Sequence, residues 1–238
     1  NVMAQDINTC GTTYLCDGTS AIGNAVWGPD CADGSDEILS YCCNADNGTF
    51  SAYVTNSSGI AACADYFASL VNSSTLLLTE LTDPQNSSDA GRYVEIFNSG
   101  SEAIDLSTGY ALQRWTNAAT DPQSAVTLTG TIEAGGFYIV CNNAEKFLNT
   151  YGFDANQDIG TGGPADSNGD DNIALLDPDG NIIDIFGVPG EDGSGTAHEF
   201  EDGRAERVCG TSPSLTWVSE DWNIDNDSGG GDGEQYAP

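Results

Sequence analysis

The chain has 238 residues, with 37 Asp+Glu against five Lys+Arg and a formal net charge of -32. That balance excludes sequence-independent binding to nucleic acid, whose phosphates would be repelled, and adhesion to anionic membranes. It favours cations, Ca²⁺ above all, and it keeps a protein dissolved in salty water.

Six of the eight cysteines lie in the first 63 residues, and Cys141 and Cys209 stand far apart in the rest. No Cys-x-x-Cys pair occurs, and His198 is the single histidine. The pattern predicts a disulfide framework rather than a zinc site, and with it an oxidising compartment: secreted, extracellular or cell-surface. No stretch is long and apolar enough to insert in a membrane. No signal peptide is visible, so a processed N-terminus is expected.

Residues 1–72 read as a small disulfide-rich module, in which cross-links supply what a small core cannot. Within segment 10–43, Tyr14-Leu15-Cys16-Asp17-Gly18 is followed by Trp27-Gly28-Pro29-Asp30-Cys31-Ala32-Asp33-Gly34-Ser35-Asp36-Glu37 and then Cys42. This segment resembles a low-density-lipoprotein-receptor class A module. The resemblance implies a Ca²⁺ held by Asp30, Asp36 and Glu37 with carbonyls near Trp27 and Gly28. Asp33 matches the motif without being a direct ligand. It also implies a Cys16–Cys31 bridge. The family's third and fourth cysteines are missing here, with the Asp that follows the fourth. Cys10 and Cys42 are left without their usual partners, and pair with each other or with Cys43 or Cys63.

Ile60, Ala61, Ala64, Phe67, Ala68 and Val71 recur at helical spacing, which predicts a short helix over 59–71 pinned by Cys63. Asn-x-Ser/Thr sequons stand at Asn47, Asn56, Asn72 and Asn86, with a fifth at Asn226. In a secreted eukaryotic chain these are expected glycan sites.

From Leu76 onward the pattern is mainly β. Strands are expected at Leu76–Leu81, Tyr93–Phe97, Tyr110–Trp115, Ala125–Leu128, Gly136–Cys141, Ile173–Leu176 and Ile182–Phe186. The first, the second and the last two alternate as half-buried strands do. Asp177-Pro178-Asp179-Gly180-Asn181 is hairpin-turn chemistry between the last two. Several short strands with Gly/Asn/Asp turns predict a two-sheet sandwich over 73–226, followed by a Gly-rich C-terminal tail, 227–238.

Several runs in this region carry a second resemblance. They are Leu78-Thr79-Glu80-Leu81, Tyr93-Val94-Glu95-Ile96-Phe97-Asn98 with Asp105-Leu106-Ser107, Gly136-Phe137-Tyr138-Ile139-Val140, Asp170 through Leu176, and Ile183-Asp184-Ile185-Phe186-Gly187. Phe200-Glu201-Asp202-Gly203-Arg204-Ala205-Glu206-Arg207 and the stretch from Trp217 through Trp222-Asn223-Ile224 close the match. Together they resemble the lamin-tail domain. That implies an immunoglobulin-like β-sandwich with a mostly non-catalytic interaction or accessory role.

Cys141 at a strand end and Cys209 near the C-terminal segment are expected to pair. The bridge would tie Trp217 and Trp222 onto the sandwich and stabilise it by about 4 kcal/mol on a chain-entropy argument. Asp154-x-Asn156-x-Asp158 and Asp166-x-Asn168-x-Asp170 have the alternating oxygens of Ca²⁺ loops. Asp177 falls at the twelfth position of the second, but Asp171 stands where an EF-hand needs Gly. The choice there is a looser Ca²⁺ site at Asp166, Asn168 and Asp170 or ordinary acidic turns.

No catalytic set is visible. His198 lies in a turn-like run and reads as a turn or surface residue. No Gly-x-Ser-x-Gly surrounds any serine, and no Lys-bearing Gly loop cradles phosphate. The expectation is a secreted, non-catalytic structural or adhesive protein. It would assemble with copies of itself in a fibre or surface layer, joined through its terminal arms and sandwich surface. The alternative is a glycan- or protein-binding accessory module of a secreted hydrolase.

Overall fold

The Tyr93–Asn98 strand turns Val94, Ile96 and Asn98 inward and leaves Tyr93, Glu95 and Phe97 on its other face, as its two-residue side-chain period requires. The same logic builds the rest of the domain. The structure is a computed structural model that describes residues 74–85 and 90–226. In chain order its strands are β1 (Leu76–Thr82), β2 (Tyr93–Asn98), β3 (Ile104–Asp105), β4 (Ala111–Trp115), β5 (Val126–Thr127), β6 (Thr131–Ile132) and β7 (Phe137–Cys141). A helix, α1 (Ala144–Tyr151), precedes β8 (Gln157–Asp158), β9 (Asn172–Leu176), β10 (Ile182–Phe186), β11 (Arg204–Arg207) and β12 (Trp222–Asp225).

The strands form a mainly β sandwich. One sheet runs β12-β11-β1-β2-β7-β8, the other β10-β9-β4-β5, and β3 pairs with β6 beside them. All pairs are antiparallel except β7 with β8. The core lies between the two large sheets. Leu78, Leu81, Val94, Ile96, Tyr138 and Val140 of the first meet Leu112, Ile173, Leu175, Ile183 and Phe186 of the second.

All seven strands expected from the sequence are present, with ends shifted by a residue or so. The half-buried alternation expected of four strands holds for β2 alone and needs correcting in the others: β9 is buried at every position, β10 at all but Ile182, and β1 at all but Thr79 and Glu80. On β9 the cause is a second apolar contact. Its second face, with Ala174 and Leu176, joins Ala111, Trp115 and Ile185 in a separate apolar cluster. The β9–β10 hairpin forms as expected. Asp177 Oδ1 accepts from the Asp179 and Asn181 amides, and Gly180 takes the left-handed conformation, φ 82°, that the turn demands.

Helix α1 was not expected. Asn143 caps it by accepting from the Lys146 amide, Glu145 sits in its first turn, and left-handed Gly152 ends it, as helix termini prefer. It buries Phe147 edge-on against Tyr93, and with Ile139 and Cys141 covers one end of the outer face of the six-stranded sheet.

Four arginines lock the sandwich. β1 leaves its β11 ladder at Glu80, so the Leu78 amide and carbonyl have no β11 partner. Asp184 Oδ2 takes the amide at 2.8 Å, and Arg207 Nε reaches the carbonyl at 2.5 Å. Arg207 Nη2 then meets Asp184 Oδ2 at 2.6 Å, with both side chains buried. Burial pushes the Asp184 carboxyl up, to about 6, against the pull of Arg207 and of the Ser214 and Leu78 amides. Arg114 pairs with buried Asp171, Arg92 spans Asp83 and Asp166, and Arg204 spans Glu80 and Glu206.

The expected Cys141–Cys209 bridge does not exist; both thiols are free, Cys141 buried and Cys209 exposed. The register explains this. Cys141 is level with Tyr93, Thr82 and Arg204, three strands from β11, about 14 Å sideways at the usual strand spacing. Cys209 lies beyond the far end of β11. A disulfide requires Cα atoms within about 7 Å. What holds the C-terminal segment is an aromatic hub. Phe186 meets Trp217 at 4.8 Å, Trp222 at 4.9 Å and Phe200 at 5.4 Å between ring centroids, and Arg207 lies 4.5 Å over the Trp222 ring.

His198 belongs to that hub: it lies in a turn, as the sequence reads, but it is buried rather than at the surface. It is buried beside Phe186 and Trp217, with Nδ1 3.0 Å from Thr196 Oγ1 and no partner on Nε2. Burial lowers its pKa below the ordinary 6.5, against the nearby carboxylates Glu191, Asp192 and Glu199. The unfolded chain therefore binds a proton more readily than the folded one, and stability falls as pH drops below about 6.5. We expect the wild type to lose stability relative to His198→Phe between pH 7.5 and 5 in urea denaturation. A difference independent of pH would contradict this.

Candidate functional site

Helix α1 covers only one end of the outer face of the six-stranded sheet. At the other end the outward positions of β1, β2 and β7 are apolar: Leu77, Phe97 and Phe137. Phe97 and Phe137 are opposite one another in the β2–β7 register, with ring centroids 4.8 Å apart. Phe137 is 57% exposed, an unusual position for a large apolar ring. The turn Val208–Thr211, which follows β11, walls the groove; Thr211 Oγ1 donates to the Val208 carbonyl to hold it. The cavity measures about 410 Å³, within the range of sites that hold a ligand or side chains.

Three carboxylates stand between the helix and the apolar floor. Glu80 is opposite Glu206 on one side and Glu95 on the other, so the three form a row across β11, β1 and β2. All three line the groove. Burial raises the Glu95 carboxyl against a hydrogen bond from Thr79, and raises that of Glu80 against Tyr93 and Arg204. The groove thus offers an apolar floor, an anionic end and, at its lip, the exposed Cys209.

The sequence-derived site residues fare differently. Trp27, Gly28, Asp30, Asp36 and Glu37, the cysteines Cys10, Cys16, Cys31, Cys42, Cys43 and Cys63, and the sequons at Asn47, Asn56, Asn72 and Asn86 lie outside the described residues, as does the helix expected over 59–71. Asn226 is described, and the structure corrects its reading as a glycan site. It is buried, and the Nδ2 that would carry a glycan donates to the Glu199 carbonyl at 2.7 Å.

Several oxygens of the acidic loops are taken up by the protein itself. Asp166 Oδ1 accepts from Asn142 at 2.7 Å and Arg92 at 3.3 Å, and its Oδ2 from the Gly162 amide at 2.6 Å. Burial acts to raise this carboxyl, but those donors outweigh it and hold it below the ordinary range. Asp170 Oδ2 accepts from Asn117, its Oδ1 is buried without a partner, and Asn168 is exposed. Asn156 accepts from the Ile139 amide and Asp158 from the Ala144 amide at the start of α1. Among the described residues no group of three or more His, Cys, Asp or Glu side chains is placed to hold a metal ion.

His198, the single histidine, is shut away from solvent. Among the described residues no helix is long and apolar enough to cross a membrane. An immunoglobulin-like sandwich with an open apolar groove on one sheet has the form of an interaction or structural domain. The lamin tail domain family matches residues 71–190, half of the chain, and the chain belongs to that family. Strands β11 and β12 lie beyond the matched stretch and complete its larger sheet. No curated protein matches the sequence.

Proposed function

We propose that this chain is a secreted, non-catalytic structural or adhesive protein, a subunit of an extracellular assembly joined through its sandwich surface. The observation that carries the reading is the outer-face groove, with Phe137 more than half exposed against Phe97. Exposed aromatic rings in a concavity are the usual anchors of protein interfaces. The reading is also supported by the large acidic excess, which suits a protein kept dissolved outside the cell. The cysteine-rich first 63 residues point to the same compartment.

Phe137→Ser tests it. The side chain faces solvent, so the fold should hold, with a stability change within about 1 kcal/mol. In native secreted material, electron microscopy and sedimentation should show assembled particles for the wild type and dispersed chains for the variant. Assembly that is indifferent to Phe137→Ser removes the groove from the function.

A further inference from the structure

The groove has one sign of charge and one apolar wall, and together these select an occupant. Arg204 answers two of the three glutamates in the row, at 3.2 Å from Glu80 Oε1 and 3.0 Å from Glu206 Oε2. Among the described residues no ion pair reaches Glu95, whose Oε1 accepts only from Thr79 Oγ1 at 2.8 Å. Arg207 also lines the groove, but its charge is met by Asp184. The carboxylates of the row therefore outnumber the cations available to them, and the surplus lies beside Leu77, Phe97 and Phe137.

We propose that the groove receives a lysine- or arginine-bearing segment of a different polypeptide, its hydrocarbon stem on Phe97 and Phe137 and its charged head at Glu95. Long basic side chains combine an apolar stem with a cationic tip. Aromatic faces attract such cations, and opposed charge fixes register and speeds encounter. A neutral apolar segment would leave Glu95 covered and unanswered, which is costly.

The chain itself is a poor source of that cation. It has five Lys+Arg. Arg92, Arg114, Arg204 and Arg207 each hold carboxylates of their own fold, which leaves only Lys146. Two copies would also bring together two bodies of charge -32, which repel. The inference rests on the proposed interaction role and names the partner's chemistry: basic, and not a second copy.

The test uses the full chain and a fluorescent peptide of alternating Lys and Leu, with an alternating Glu and Leu peptide as control, at physiological ionic strength. The variants are Glu95→Gln, Phe137→Ser and, away from the groove, Asp179→Asn, which is exposed in the β9–β10 turn. Glu95→Gln and Asp179→Asn change the net charge equally. We expect the basic peptide to bind wild type and Asp179→Asn alike, and Glu95→Gln and Phe137→Ser about tenfold more weakly. Equal affinity in all four proteins would reduce the binding to bulk charge attraction and overturn the inference, as would no binding at all. Sedimentation of the chain alone separates the remaining cases. Self-association lost in Phe137→Ser, without peptide binding, assigns the groove to a second copy; that overturns this inference and leaves the proposed function standing. If neither binding nor assembly depends on the groove, both fail.

Discussion

Asp184→Ala is expected to cost about 3–5 kcal/mol of folding stability, among the largest single losses this domain can suffer. The reason is the number of groups that one carboxylate serves. It bridges the edge strand of one sheet to the broken ladder of the other, by accepting from the Leu78 amide and from Arg207. It also holds the trailing segment through the Ser214 amide at 2.9 Å. Its removal leaves a guanidinium buried without its counter-ion and two amides without acceptors, each with its own desolvation cost. Pairing Asp184→Leu with Arg207→Met should restore only part of the loss. The apolar pair removes the stranded charge, but the Leu78 amide and carbonyl and the Ser214 amide stay unanswered. Urea unfolding of Asp184→Ala and of the double variant checks this. A loss under about 1 kcal/mol for Asp184→Ala, or full recovery in the double variant, would show that the three-way tie does not hold the sheets together.

The second large effect is at Phe186, whose fully buried ring is the centre of the aromatic hub. Phe186→Ala should cost about 3–5 kcal/mol, from lost transfer energy and the cavity left behind. It should also loosen Trp217 and Trp222 together, since both pack on the deleted ring. Near-ultraviolet circular dichroism should therefore lose intensity in the variant while it is still folded by far-ultraviolet signal. Unchanged tryptophan signals would mean that the C-terminal segment is held by something other than the hub. Reduction of disulfides, by contrast, should leave the attachment of this segment to the sandwich untouched, because Cys141 and Cys209 are already free thiols.

How legible this was in the sequence depends on the range of the interaction. Strand runs such as Tyr93–Phe97 and the Asp177–Asn181 turn are set by residues within a few positions of one another, and they were found where they were expected. Helix α1 was readable on the same terms. Asn143, Glu145 and Gly152 are a cap, a first-turn acid and a stop, but the short apolar face of Phe147 gave too little period to draw attention. The Cys141–Cys209 expectation failed because pairing depends on register across three strands, which spacing along the chain does not encode. The Asp184–Arg207 pair is invisible for the same reason: nothing local says that a β10 carboxylate lies over a bulge in β1.

The groove had a partial signal. Phe97 shares the outward phase of Glu95 in β2, and Phe137 opens β7 in the outward phase. An aromatic residue where the period calls for a polar one is a mark of a surface with a partner. That the two rings face one another, with Glu80, Glu95 and Glu206 in a row beside them, follows only from the register of four strands. Conversely, Asn226 satisfies a local sequon, and only its burial against Glu199 shows that it is structural.

On the proposal above, the open end of the outer sheet face is where this chain meets its partner. Hydrogen–deuterium exchange of the native assembly against the dissociated full chain tests that most directly. We expect slowed exchange in the Val208–Thr211 turn and at the Gly135–Phe137 entry to β7, with the Asp177–Asn181 hairpin turn unchanged. Protection confined to the hairpin, or to surfaces of the four-stranded sheet, would contradict it and move the contact to the other side of the sandwich.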